Sequence, residues 1–380
     1  MPDKFIPLSV PNLRGKELEY LTEAVETEWV STGGPYISQF EKDVAAFVGA
    51  GEAVACQSGT AGLHLALMES GIERGDAVLT TDLSFIATTN PIRYCGGEPI
   101  FIDCDDTLCI DPAKVRRFCE QECRMKDGAL YEKASGRRVR ALTATHIFGN
   151  LCDMEKLVDI AAEFNLFLIE DAAEALGSFW NEGRYAGRHA GTVGEIGVFS
   201  FNGNKIMTTG GGGMIVAKDK VKLDHMRYLS TQAKDDLLRF VHGEIGYNYR
   251  LTNVQAALGI AQFEQMPQFL ATKKRNWELY NDNGVPLLPF RADISPNYWF
   301  YSYVTDGRRD ELIAGLAKRN IQSRPIWELM HRLKPYADCR SYELERCVYY
   351  HANVVNLPCS TNLTEEDVKT VCAAVREILA

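Results

Sequence analysis

The sequence predicts an α/β protein, a mostly parallel sheet covered by helices, followed by a smaller C-terminal α+β part. Three observations carry this. Short apolar runs recur through the first part of the chain, helical patterns separate several of them, and the runs are apolar throughout rather than alternating. Strands buried on both faces read that way. The 380 residues exceed one ordinary core, so two domains are expected, 1–260 and 261–380.

Two helices open the pattern. Residues 13–30 carry Leu18, Leu21, Ala24 and Val25 on one face, and residues 36–48 carry Phe40, Val44 and Phe47. The stretch Ser31-Thr32-Gly33-Gly34-Pro35 between them is turn chemistry. Strands are expected at 53–56, 77–80, 99–103, 141–144, 166–169, 198–200 and 214–216, with helices at 59–70 and 154–164. Residues 124–140, rich in Lys, Arg, Gly and Ser, read as a solvated excursion before a strand. Beyond them, 252–280 is helical with a kink or boundary at Pro267, and helices follow near 309–319 and 364–379. Thr364 with Asp367 resembles a capping box.

Composition narrows the function. A net charge of -10 argues against nucleic acid or an anionic membrane as the main partner, while a local donor cluster can still bind a phosphorylated ligand. The N-terminus Met1-Pro2-Asp3-Lys4-Phe5 has no signal-peptide core, and no apolar run is long enough to span a bilayer. The 11 cysteines form no C-x-x-C pair, and Cys119 and Cys123 lack a nearby histidine, so no metal site is expected. Scattered, odd-numbered cysteines read as reduced thiols in a cytoplasmic protein.

The chemistry centres on Lys205, in a polar turn between two apolar runs and followed by Gly210 to Gly213. It is a phosphate contact, an amine kept for covalent chemistry, or a surface lysine in a turn. A Walker loop needs its glycines before the lysine, and here they follow it. Upstream, Gln57-Ser58-Gly59-Thr60-Ala61-Gly62 joins a strand to a helix, whose first amides are free for an anion. By itself it is also an ordinary capped helix. Glu170, Asp171 and Glu174 end an apolar strand, where open α/β sheets bind ligands. A strand-end acid, a strand-end lysine and a phosphate-ready helix start together meet the needs of pyridoxal phosphate.

Along nearly its whole length the chain resembles the pyridoxal phosphate-dependent nucleotide-sugar aminotransferases of the DegT/DnrJ/StrS group, with the fold type I architecture. The matching pieces are Ser58-Gly59-Thr60-Ala61, Ser84-Phe85-Ile86-Ala87-Thr88, His146-Ile147-Phe148-Gly149, Glu170-Asp171-Ala172-Ala173, Ser200-Phe201 with Lys205, and residues 246–253. The resemblance implies that Lys205 forms the imine with pyridoxal phosphate and then shuttles the proton, and that Asp171 pairs with the pyridine nitrogen. It implies that Phe85 stacks on the ring, that Ser58, Gly59, Thr60 and Ser200 hold the phosphate, and that Glu174 stands near the ring hydroxyl. Asn248 would reach the phosphate in a neighbouring subunit, which implies a homodimer. Lys205 must be neutral to act, so cationic surroundings are expected around it.

Glu174 stands where many members have Gln or His, and Gly211 where many have Glu. With Asn202-Gly203-Asn204 and the run Arg324-Pro325-Ile326-Trp327 before Met330-His331, these departures resemble the bacillosamine/legionaminate-type subgroup. That subgroup implies amino transfer from an amino acid, glutamate, to a nucleotide-linked sugar of the UDP-4-keto-6-deoxy-GlcNAc type. Thr32, Arg250, Arg324 and His331 are the candidate sugar contacts. The rival readings are the same chemistry on another ketosugar or a cyclitol ketone, and a pyridoxal phosphate-binding regulator without turnover.

Overall fold

The computed structural model describes residues 4–236 and 238–380; Met1, Pro2 and Asp3, on which part of the N-terminal reading rests, lie outside the described residues. Seven strands form the centre of a ten-stranded main sheet: β1 (Val54–Cys56), β2 (Ala77–Thr81), β3 (Glu98–Ile102), β4 (Arg138–Thr145), β5 (Phe167–Asp171), β6 (Ile196–Ser200) and β7 (Gly213–Ala217). Their order is β1-β7-β6-β5-β4-β2-β3. The pairs from β6 through β5, β4, β2 and β3 are parallel. This confirms the α/β class with a mostly parallel sheet.

β7 departs from the parallel pattern and runs antiparallel to both β6 and β1. The reason is the length of its connection. Residues 201–212 leave no room for a crossover helix, so the chain turns back beside the strand it has just left. Lys205 therefore sits in the loop of a hairpin whose two strands are buried, with Ser200 paired to Gly213 at its base.

The helices are α1 (Glu17–Glu26), α2 (Pro35–Val48), α3 (Gly59–Glu69), α4 (Ile86–Tyr94), α5 (Pro112–Gln121), α6 (Met154–Glu163), α7 (Lys220–Ser230), α8 (Asn253–Phe263), α9 (Met266–Asp282), α10 (Arg309–Ala317), α11 (Arg346–Asn353) and α12 (Glu365–Leu379). Pro267 lies in the first turn of α9, where its missing N–H costs nothing, so the expected interruption is a helix boundary. The capping box of α12 is formed, with Thr364 Oγ1 accepting from the Asp367 amide and Asp367 Oδ2 from the Thr364 amide, both at 3.1 Å. The excursion at 124–140 is a β-hairpin, Cys123–Lys126 with Ala129–Glu132, added to β4.

α1 corrects an expectation. It is shorter than its apolar pattern, and of the four residues on the expected inner face only Ala24 is buried. Leu18 and Val25 are 79% and 60% exposed.

In the C-terminal part, β8 (Tyr301–Val304), β9 (Arg324–Pro325) and β11 (Val354–Leu357) form a second sheet, while β10 (Arg340–Tyr342) leaves it and pairs parallel with β3. The N-terminal segment makes the reverse exchange: Ile6 bridges Ile321, and the Cys359 amide donates to the Leu8 carbonyl at 2.7 Å. Both exchanges cross the residue-260 line. No helix among the described residues is long and apolar enough to cross a membrane. All eleven cysteines are free.

Candidate active site

The C-terminal ends of β4, β5 and β6 lie side by side, with Thr145 opposite Asp171 and Asp171 opposite Val198. Above them opens a cavity of about 660 Å³, whose wall includes Ser58, Gly59, Thr60, Phe85, Asp171, Glu174, Ser200, Lys205 and Arg324. Nine of the residues singled out in the sequence are thus brought together in one space.

One end of this cavity suits an anion. Ser58 caps α3, its Oγ accepting from the Ala61 amide at 3.1 Å, and the Gly59 and Thr60 amides have no acceptor among the described residues. A Cβ on Gly59 would come within 3.0 Å of Ser200 Cβ, so glycine lets the helix start approach β6.

The other end is acidic. Asp171 is buried; its Oδ2 accepts from Thr88 Oγ1 at 2.6 Å and its Oδ1 from the Ala173 amide at 3.1 Å. Thr88 has one hydrogen and spends it on Asp171, so the 2.8 Å contact with Ser84 Oγ has Ser84 as donor. Burial raises the Asp171 carboxyl above its usual range, and the Thr88 bond opposes that rise. Beside it, Glu170 accepts from His146 Nε2 at 2.8 Å and from the amides of Gly191 and Val193. His146 Nδ1 accepts from the Cys152 amide, so Nε2 carries the hydrogen that Glu170 receives. Burial opposes the Glu170 charge, but these donors outweigh it and hold the carboxyl below its usual range.

Lys205 lines the same cavity. Its Nζ is 3.3 Å from Glu174 Oε1 and 4.2 Å from the centroid of Trp299. The neighbours are thus a carboxylate and an indole rather than the cationic surroundings expected. Burial raises the Glu174 carboxyl, with the Lys205 charge opposing. Glu174 Oε2 accepts from the Phe148 amide at 2.9 Å, and Phe148 is held at φ 57°, a conformation that costs energy in a residue with a Cβ.

A lysine amine, a helix start with spare amides and a buried carboxylate with no cation hydrogen-bonded to it among the described residues are the three groups pyridoxal phosphate requires, and the residues present fit it. When bound, that cofactor supplies an aldehyde for the amine and a ring that takes up the electron pair left when a C–H proton departs. Asp171 would face the protonated ring nitrogen, and the Ser58–Thr60 end would hold the phosphate.

The structure places the remaining candidates elsewhere. Thr32 and Asn248 are exposed and off the cavity wall. Arg250 pairs with Glu41, and His331 Nδ1 lies 2.8 Å from the buried Asp82 Oδ2. Neither reaches the cavity of its own chain. Thr88, Phe148, Trp299 and Phe300 carry no expected role from the sequence, although Thr88 lies in the Ser84-Phe85-Ile86-Ala87-Thr88 motif. Phe148 stands 4.8 Å from Trp327 and 5.2 Å from Phe300 between ring centroids, and Phe85 stands 6.2 Å from Trp327. Leu8 and Ser9 also line the wall, and nothing in their local sequence marks them.

The sequence pattern of the DegT/DnrJ/EryC1/StrS aminotransferase family matches residues 11–376. The chain is 35% identical to the GDP-perosamine synthase of Caulobacter vibrioides, over 98% of each protein. It is 34% identical to EpsN of Bacillus subtilis, named as a pyridoxal phosphate-dependent aminotransferase, over 96% of this chain and 93% of that one. The structure of the aminotransferase TlmJ from Streptoalloteichus hindustanus superposes with a TM-score of 0.88 at 26% identity, covering 99% of both chains. With its family pattern matched over residues 11–376 and its lysine, carboxylate and helix start in one cavity, the chain belongs to the DegT/DnrJ/EryC1/StrS aminotransferase family and is a pyridoxal phosphate-dependent aminotransferase.

Proposed function

We propose that the enzyme transfers the amino group of L-glutamate to the keto carbon of a nucleotide-linked 4-keto-6-deoxy sugar of the UDP-4-keto-6-deoxy-GlcNAc type. The observation that carries the reading is the single cavity that joins Lys205, Asp171 and the α3 start to an open aromatic side with Phe85, Trp327 and Arg324. A sugar ring packs its apolar face on aromatic rings, and a guanidinium suits a diphosphate. Glu174 and Gly211 both border this cavity, which supports the subgroup chosen from them. A GDP-linked 4-keto-6-deoxy sugar is the second reading, favoured by the 35% identity to a GDP-perosamine synthase.

Within this reading Lys205 Nζ holds the cofactor and moves the proton at the reacting carbon, and Glu174, next to both, orients that amine. Residues 1–260 hold the cofactor and 261–380 close the sugar side. Two copies form a dimer in which Asn248 and Thr32 act on the partner's cavity. Supporting this, Leu238, Phe240 and Ile245 near Asn248 are 81%, 68% and 85% exposed, as are the outward Leu18 and Val25 of α1. Arg250 and His331 support the site through the Arg250–Glu41 ion pair and the hydrogen-bond contact of His331 with Asp82. A cytoplasmic location accords with the free cysteines.

The test is product analysis. Protein loaded with pyridoxal phosphate is given glutamate with UDP- and GDP-linked 4-keto-6-deoxy sugars, and the amino sugar is identified by mass and NMR. Product from the UDP sugar is expected. Product from the GDP sugar alone selects the second reading. No product from any ketosugar, with no oxoglutarate from glutamate alone, sinks both and favours a regulator without turnover.

A further inference from the structure

Lys273, on α9, is 3% exposed, and no carboxylate pairs with it among the described residues. Its Nζ donates instead to two backbone carbonyls, those of Trp299 at 2.8 Å and Cys359. Burying an ammonium without a counter-charge is costly, and a methionine of similar length would fill the site without that cost. Burial lowers the Lys273 pKa, in keeping with such a position. What the lysine gains is its grip on the two carbonyls and a contact with the Tyr301 ring, whose centroid lies 5.5 Å from Nζ.

One of them leads to the reacting amine. Trp299 is held at three points: its carbonyl by Lys273, its amide by Asn297 Oδ1 at 3.0 Å, and its indole Nε1–H by the carbonyl of Asn204 at 2.7 Å. Asn204 precedes Lys205, and the face of the same indole lies 4.2 Å from Lys205 Nζ. Lys273 and Lys205 also border one small polar cavity of about 10 Å³, with Asn12 and Thr208.

We propose that Lys273 is a positioning residue for the reacting amine: by holding the Trp299 carbonyl it fixes the indole against which Lys205 Nζ rests. The proposal rests on Lys205 being the catalytic amine.

The test uses full-length protein stripped of cofactor, with trace acetic anhydride and mass spectrometry of the Lys205 peptide. K273M is expected to raise Lys205 acetylation roughly fivefold, the scale of one lost cation–π contact, and W299L to do the same. The double variant should equal W299L alone, because the two changes act through one contact. Additive effects overturn the proposal. So does a K273M protein that melts earlier yet acetylates Lys205 at the wild-type rate. If K273M does not fold, K273Q, which keeps one donor group, is judged by the same criteria. Turnover surviving in K205A would instead remove the catalytic role of Lys205, while the coupling between Lys273, Trp299 and Lys205 acetylation would still be measured.

Discussion

Thr88 gives its only hydroxyl hydrogen to Asp171 at 2.6 Å, inside a pocket where burial works against that carboxylate's charge. The contact joins α4 to the end of β5 and steadies the acid that would face the cofactor ring. Removing it in Thr88→Val leaves a buried acceptor short of a donor, at a cost of about 1–3 kcal/mol. Cofactor affinity should fall roughly tenfold, measured by equilibrium dialysis. Because the bond lowers the Asp171 pKa, its loss should move the acid limb of the kcat/KM profile to higher pH. An unmoved limb would mean another group controls it.

Lys205→Ala should abolish turnover by roughly 10³-fold or more, in the upper range for a positioned acid–base group. Phosphate-end binding should survive, since Ser58, Gly59, Thr60 and Ser200 are untouched. The measurements are steady-state rates and reversible cofactor binding by ultrafiltration.

Asp103, at the end of β3, accepts from the amides of Glu345, Arg346 and Cys347, and from Lys114 Nζ at 2.7 Å. It thereby secures the start of α11 to the main sheet. Burial opposes its charge, but Lys114 and the amides outweigh burial and hold the carboxyl below its usual range. A depressed carboxyl stabilises the fold above its unfolded pKa, and that contribution is lost as pH falls through the folded value. Asp103→Asn should cost about 2–4 kcal/mol at pH 7 in urea unfolding. The gap from wild type should close in acid.

Gly211 and Gly213 separate local freedom from close packing. A Cβ at Gly211 would meet nothing nearer than Gln255 Nε2 at 3.8 Å, whereas one at Gly213 would press on the Ser58 carbonyl carbon at 2.7 Å. Gly211→Ala should fold and bind cofactor normally, and Gly211→Met should impair sugar turnover more than cofactor binding. Gly213→Ala should weaken the phosphate end. Equal loss of sugar turnover and cofactor binding in Gly211→Met would count against the role given to that glycine.

The proposed dimer is tested at the exposed loop. Phe240→Asp with Ile245→Asp should convert a dimer to a monomer in light scattering and lower activity in proportion. A wild-type monomer that is fully active would remove Asn248 and Thr32 from the site.

The sheet and most of its helices were legible because continuous apolar runs such as 198–200 and 214–216 have one good use, burial on both faces. Direction was not. Strand composition is blind to whether a neighbour runs parallel, and only the short connection at 201–212 reverses β7. Lys205, Asp171 and Ser58 were legible since each lies at a strand end with chemistry of its own. Trp299, Leu8 and Ser9 reach the cavity through tertiary packing, which leaves no local pattern. α1 misled for the opposite reason: its apolar stripe is real, but Leu18 and Val25 face outward.

β10 lies far along the chain, yet it completes the edge of a sheet whose other strands are all made earlier. During synthesis, β3 must wait with an unpaired edge until almost the whole polypeptide has left the ribosome. Truncations that stop near residue 260 would therefore expose a sticky strand rather than release an autonomous module. Fusions and fragment libraries of this enzyme are best cut elsewhere.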